Sequence, residues 1–287
     1  MPLPLFEAAC VAVIALALAA MARGRPWREL LADYAALAVA GWIGEETCVA
    51  VYGYYRYAEG WHARIHHVPV LVPLIWPLVI LSARDVAAAV WPAAERWRPL
   101  IVGAVVAFDA SLVEVVAVRA GLWSWAEPGH LGVPLIGMLG WGYFAVGADA
   151  ALGRGRRLLA VVAAPAAAHA LILGSWWAAF RWGWRRDLGA ASVLGMAAVG
   201  VAALAAVVAA RRRGGGIPLG VAVPRMVAAS LFFALLVTTA PGEAALWIHT
   251  AAVAVPYLAA TRFGDGTRHG APPSRRRSAG VSPAFTR

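Results

Sequence analysis

The chain has 287 residues, no lysine, only two cysteines and little charge, with 14% of its residues being Asp, Glu or Arg, where a soluble domain has roughly 25%. All 25 of its positive charges are therefore arginine. Without a lysine amine there is no retinal Schiff base, and without the lysine of a GxxxxGK[ST] loop there is no nucleotide motor of that type. Cys10 and Cys48 sit inside apolar runs at no metal-ligand spacing, which argues against a disulfide framework.

What the chain does have is apolar length: 62% of residues are hydrophobic and the mean hydropathy is +0.70. At about 20 residues per crossing, this length accommodates eight or nine membrane helices and no separate soluble domain. The expected fold class is therefore all-α, a polytopic transmembrane bundle. Apolar runs bounded by Arg, Pro and Gly fall at about 4–22, 30–52, 67–91, 99–119, 131–152, 157–180, 188–210, 219–240 and 244–261. The first has Arg23, Arg25 and Arg28 after it and no basic residue before it, the wrong polarity for a signal peptide, and reads as a helix. Residues 1–261 thus form one transmembrane domain, and 262–287, rich in Gly, Pro, Ser and Arg, read as a disordered basic tail resting on anionic lipid. The Ala/Val-rich stretches 157–168 and 188–210 read as closely packed scaffold, and no internal repeat is visible.

The net charge of +10 would suggest nucleic acid in a soluble chain. Here the arginines fall in short clusters between apolar runs and serve as topology signals. Alternate loops divide them unequally, nineteen on one side, including the tail, and six on the other: Arg56, Arg64, Arg119, Arg181, Arg185 and Arg186. The positive-inside rule then places the amino terminus outside and the tail in the cytoplasm of a bacterial-type inner membrane.

A carboxylate near the bilayer centre costs at least about 2.5–3.5 kcal/mol on insertion scales, so intramembrane acids are the residues to look at first. Glu45 and Glu46 in the second run, and Asp109 and Glu114 in the fourth, lie at similar depth on two helices running the same way, with His169 at mid-depth on the sixth. One acid from each pair is expected in a shared pocket. Adjacent helical residues point about 100° apart, so one of Glu45 and Glu46 faces it, and Asp109 and Glu114, about 140° apart, need not share a face. Asp85 and Asp149, close to arginines, are expected to be structural.

Aromatic residues gather at the same end of these helices. Most of the 14 Trp fit an interfacial belt, but Tyr55-Arg56-Tyr57 and Trp123-Ser124-Trp125 sit beside the acids, where ring faces would line a polyene slot and stabilise a carbocation. Arg119 and Glu127 flank the Trp pair and are candidates for an ion pair over the site. His62 and His66 are four apart and would share a helical face. With seven histidines in all and His130, His169, His249 and His269 scattered, the pattern lacks the boxes of a di-iron desaturase, so His62, His66 and His67 read as an interfacial loop and no metal is expected.

The segment Glu114-Val115-Val116-Ala117, Gly121-Leu122-Trp123-Ser124-Trp125, Gly132-Val133-Pro134 and Gly140-Trp141 resembles the carotenoid biosynthesis membrane family that contains bisanhydrobacterioruberin hydratase and carotene 1'-hydratase. An acid at Glu45 or Glu46, Tyr55-Arg56-Tyr57, Val68-Pro69, Val72-Pro73 and Trp76 extend the likeness, which covers about 41–147. Two departures stand out: the family's Asp-Pro is Glu114-Val115 here, and its Asn after the GVP segment is Gly137. The resemblance implies cofactor-independent addition of water to a terminal C=C of an acyclic carotenoid. Glu114 would be the acid, Glu45, Glu46 or Asp109 would be partner groups, and Tyr55, Tyr57, Trp76, Trp123, Trp125, Trp141 and His169 would line the substrate site. Its partners would be membrane lipid and an isoprenoid. Protonation without a positioned water would give ring closure, so a membrane carotenoid or terpenoid cyclase is the nearest enzyme alternative. Intramembrane acids with a mid-depth histidine also fit a proton-coupled transporter or a lipid-binding protein.

Overall fold

The computed structural model describes residues 1–153, 155–184 and 189–263. Its long helices are α1 (Leu3–Ala22), α2 (Trp27–Glu46), α3 (Leu71–Val90), α4 (Arg98–Arg119), α5 (Leu135–Leu152), α6 (Arg157–Leu171), α8 (Ala190–Arg212), α9 (Leu219–Thr239) and α10 (Ala244–Ala260), with a short α7 (Arg181–Trp184) extending α6. Eight of these segments are long and apolar enough to cross a membrane, and α10 is a shorter apolar helix. The protein is an all-α integral membrane bundle, and the helices fall where the apolar runs place them. Apart from Arg262 and Phe263, the expected tail lies outside the described residues, as do Arg154, Arg185 and Arg186.

Four short strands stand between the helices: β1 (Tyr55–Tyr57), β2 (Arg64–Ile65), β3 (Val68–Pro69) and β4 (Trp123–Trp125). β1 follows α2 and β4 follows α4, and the two pair antiparallel, with Tyr55 opposite Trp125 and Tyr57 opposite Trp123. The carboxyl-terminal ends of α2 and α4 therefore lie at the same end of the bundle, here termed the strand end. Strand alternation turns Tyr55, Tyr57, Trp123 and Trp125 to one face and leaves Arg56 and Ser124 exposed on the other.

The helices of the core approach closely through small side chains, the usual means of association where lipid supplies no hydrophobic drive. Between α4 and α5, a Cβ on Gly103 would stand 2.9 Å from the Gly142 carbonyl, and one on Gly142 would stand 2.8 Å from the Gly103 carbonyl. Two π-helical segments interrupt the regular winding, Thr47–Val51 after α2 and Ile172–Phe180 after α6. Each re-aims the chain beside a cavity residue, Glu45 in the first case and His169 in the second.

α2, β1 and α3 form one helix–strand–helix unit, and α4, β4 and α5 form another. The two meet at the strand pair, where Arg56 faces Ser124, Tyr55 faces Trp125 and Tyr57 faces Trp123. Tyr in one unit stands where Trp stands in the other, and the acid-to-tract spacings differ by one residue, so no identity pattern betrays the relation.

Candidate active site

Each unit sends one acid inward near the end of its first helix. Glu45 of α2 and Glu114 of α4 are buried, 5% and 3% exposed, and both line one cavity of about 450 Å³. Each accepts three hydrogen bonds from aromatic side chains. Glu45 Oε2 accepts from the hydroxyls of Tyr55 and Tyr57, the latter at 2.5 Å, and its Oε1 accepts from Trp76 Nε1 at 2.8 Å. Glu114 Oε2 accepts from Trp123 Nε1 at 2.9 Å and Trp125 Nε1 at 3.0 Å, and its Oε1 accepts from Trp141 Nε1 at 2.8 Å. In both units the strand supplies two donors to one oxygen and the second helix supplies one donor to the other.

The donors also pack on one another across the strand pair. Trp76 stacks on Trp141 with ring centroids 4.2 Å apart, Tyr55 lies 4.7 Å from Trp125, and Tyr57 lies 6.0 Å from Trp123. Six aromatic rings thus form a single cage holding two carboxyl groups. Burial and the neighbouring Glu45 push the phenols of Tyr55 and Tyr57 well above their ordinary range, so both remain hydroxyls.

Other acids in the bundle are bound differently. Asp109 is bonded to Arg225 at 2.6 Å, Asp149 to Arg84 at 2.6 Å and Arg98 at 3.2 Å, Asp33 to Arg157, Asp85 to Arg25, and Glu127 to Arg181. Among the described residues no arginine is bonded to Glu45 or Glu114. An ionised carboxylate in either place has neutral donors and no countercharge, which sets these two acids apart from the ion-paired ones.

A family model described as carotenoid biosynthesis protein matches residues 4–161, more than half of the chain, including both acids and all six donors. The chain belongs to the carotenoid biosynthesis protein family. Neither a curated protein nor a solved structure matches it. Its role is thus in carotenoid metabolism, at an integral membrane site.

Of the two departures from the family pattern, packing explains one. Gly137 stands where the resemblance leads one to expect Asn, and a Cβ there would be 2.6 Å from the Trp125 ring. Trp125 occupies the room that a larger residue would need.

Beyond the matched segment, α9 and α10 complete the cavity. Arg225 of α9 donates to Asp109 Oδ2 and, at 2.6 Å, to Ser82 Oγ of α3, while the Tyr257 hydroxyl of α10 donates to Asp109 Oδ1 at 2.5 Å. Asp109 therefore lines the cavity as half of an ion pair, apart from the Glu114 cage, and its partners are 116 and 148 residues away in sequence. Only an Arg inside the apolar run 219–240 could have hinted at this.

Glu46 turns away from the cavity and bonds to His66 and His67. His169 lines the cavity, its ring 5.4 Å from Tyr52, and its buried Nδ1 has no partner among the described residues. The suggested ion pair over the site does not form: Arg119 reaches Glu243 and Glu127 reaches Arg181. Nor do His62 and His66 share a helix. They flank the β2 strand, and His62 bonds to Glu7 of α1.

Proposed function

We propose that this protein adds water to a terminal C=C of an acyclic carotenoid, without a redox cofactor, with Glu114 as proton donor and Glu45 as proton acceptor. The observation that supports this division is the donor set around Glu114. Indole N–H groups donate and cannot accept. The hydroxyl of a protonated Glu114 therefore finds no acceptor among Trp123, Trp125 and Trp141, and is left to the alkene. The alkene takes that proton and becomes a tertiary carbocation, which the surrounding ring faces stabilise. A water oxygen bonds to the cation, and its spare proton passes to Glu45, directly or through the Tyr55 or Tyr57 hydroxyl, which can both accept and donate. The net change is addition of one water molecule, and return of the proton from Glu45 to Glu114 resets the site.

Gly137 supports a second reading. With Trp125 in place of a side-chain amide, the site has one fewer group to orient water. A neighbouring double bond that reaches the cation first closes a ring, and loss of a proton from the cyclised cation to a carboxylate of the cage leaves the product with no change of mass. A transporter needs openings to two aqueous faces, whereas Met226, Ser230 and Leu258, exposed on the side of the bundle, border this cavity, as suits a substrate dissolved in lipid. The Arg distribution supports an orientation with the strand end outside and the opposite end in the cytoplasm of a bacterial-type inner membrane.

Expression in a lycopene-producing host followed by mass analysis of the pigments tests the reading. A gain of about 18 mass units, that of one water added by general acid catalysis, marks hydration. Unchanged mass with altered retention marks cyclisation, and unaltered lycopene from well-expressed protein sinks both.

A further inference from the structure

The loop from β1 to α3 carries three of the seven histidines, and two of them have an arrangement that the carotenoid site does not use. His66 and His67 are the two turn residues between β2 and β3, where Ile65 pairs with Val68. His66 has φ +59, the left-handed conformation that a two-residue hairpin turn calls for. Its side chain goes to Glu46. His66 Nδ1 lies 2.5 Å and His67 Nδ1 2.7 Å from the same oxygen, Glu46 Oε1, and the His67 backbone N–H donates to Oε2 at 3.2 Å. The two rings stand edge to face with centroids 4.0 Å apart. One nitrogen from each imidazole and one carboxylate oxygen thus fall within 4.8 Å of one another.

Two imidazoles and a carboxylate are a donor set for zinc and neighbouring divalent transition metals. Solvent reaches them, since the His66 and His67 side chains are 67% and 50% exposed. We propose that Glu46, His66 and His67 form a binding site for a divalent transition-metal ion of the zinc type, with a remaining position open to water. On binding, each Nδ1 gives its lone pair to the ion in place of its hydrogen bond to Oε1, and the single proton of each ring sits on Nε2, so the imidazoles coordinate in their neutral form. The ion ties the β2–β3 turn to the last turn of α2, one residue beyond Glu45, and acts as a clip on the loop that leads into the strand end.

The test uses the tag-free full chain in detergent, stripped with chelator and titrated with zinc chloride by calorimetry. The expected result is one ion per chain with a Kd of micromolar order or tighter. Glu46→Gln and His66→Gly should each weaken binding by about tenfold or more, while His62→Ala leaves it unchanged. His66→Gly is decisive for folding, because glycine suits φ +59 and removes only the ligand. X-ray absorption of the loaded protein should show two imidazole nitrogens. Absence of binding by wild type up to about 100 µM zinc, or binding by His66→Gly and Glu46→Gln at wild-type strength, overturns the proposal.

Discussion

The Glu45 and Glu114 halves of the cage share a scaffold and differ in one chemical property. In each half, a helix end presents a carboxyl group to two strand residues and one tryptophan of the following helix. Around Glu45 two of the three donors are hydroxyls, which can also accept. Around Glu114 all three are indoles, which cannot. A duplicated geometry thus holds two acids in unlike surroundings, and the unlikeness lies in the partners, the acids themselves being the same residue type.

Breaking the comparison at its strongest point gives the largest expected effect. Glu114→Gln keeps the shape and one acceptor oxygen for the indoles but has no acidic proton to give to an alkene, so product of any kind should fall by about 10²-fold or more. Near-normal pigment conversion by well-expressed variant would remove Glu114 from the chemistry. Glu45→Gln should slow hydration by about 10²-fold and also change the products, since a cation with no acceptor for the water proton persists long enough to cyclise. Identical product ratios in the two variants, read by chromatography, would erase the proposed division of labour.

The donors sharpen it further. Removing both hydroxyls in Tyr55→Phe/Tyr57→Phe should cost about tenfold in turnover, whereas Trp123→Phe, which keeps a ring face and loses one of three N–H donors, should cost about three- to fivefold, the worth of one ordinary hydrogen bond at roughly 0.5–1 kcal/mol. A larger loss from Trp123→Phe than from the double Tyr variant would reverse the assignment. The smallest effect on chemistry is expected at the ion-paired acid. Asp109→Asn leaves Arg225 without its counter-ion and should lower stability by about 3 kcal/mol, seen as an earlier thermal transition, with the product unchanged.

Much of this site was legible in the residues. Insertion cost alone singles out Glu45, Glu46, Asp109 and Glu114, and helical angles say that only one of each pair need face the cavity; Glu45 and Glu114 are the two that enter the cage. The tracts at 55–57 and 123–125 were legible as ring faces. Their polar edges were not: nothing in Tyr-x-Tyr or Trp-x-Trp says that four side chains from paired strands will donate to two carboxyl groups, because the pairing joins strands 68 residues apart in the chain. The equivalence of the halves was hidden by the Tyr and Trp exchange, although an acid followed nine or ten residues later by alternating aromatics occurs twice. The Asp109–Arg225–Tyr257 group joins distant helices and leaves no local pattern at all.

Two paired strands roof the cage and Met226, Ser230 and Leu258 border its flank, exposed on the side of the bundle. On the proposed function, the route in is two-dimensional. A carotenoid that never leaves the bilayer meets this opening at a frequency set by its share of the surrounding lipid molecules, not by its amount per volume of buffer. Adding inert lipid at fixed protein and fixed pigment should slow conversion by dilution within the plane of the membrane.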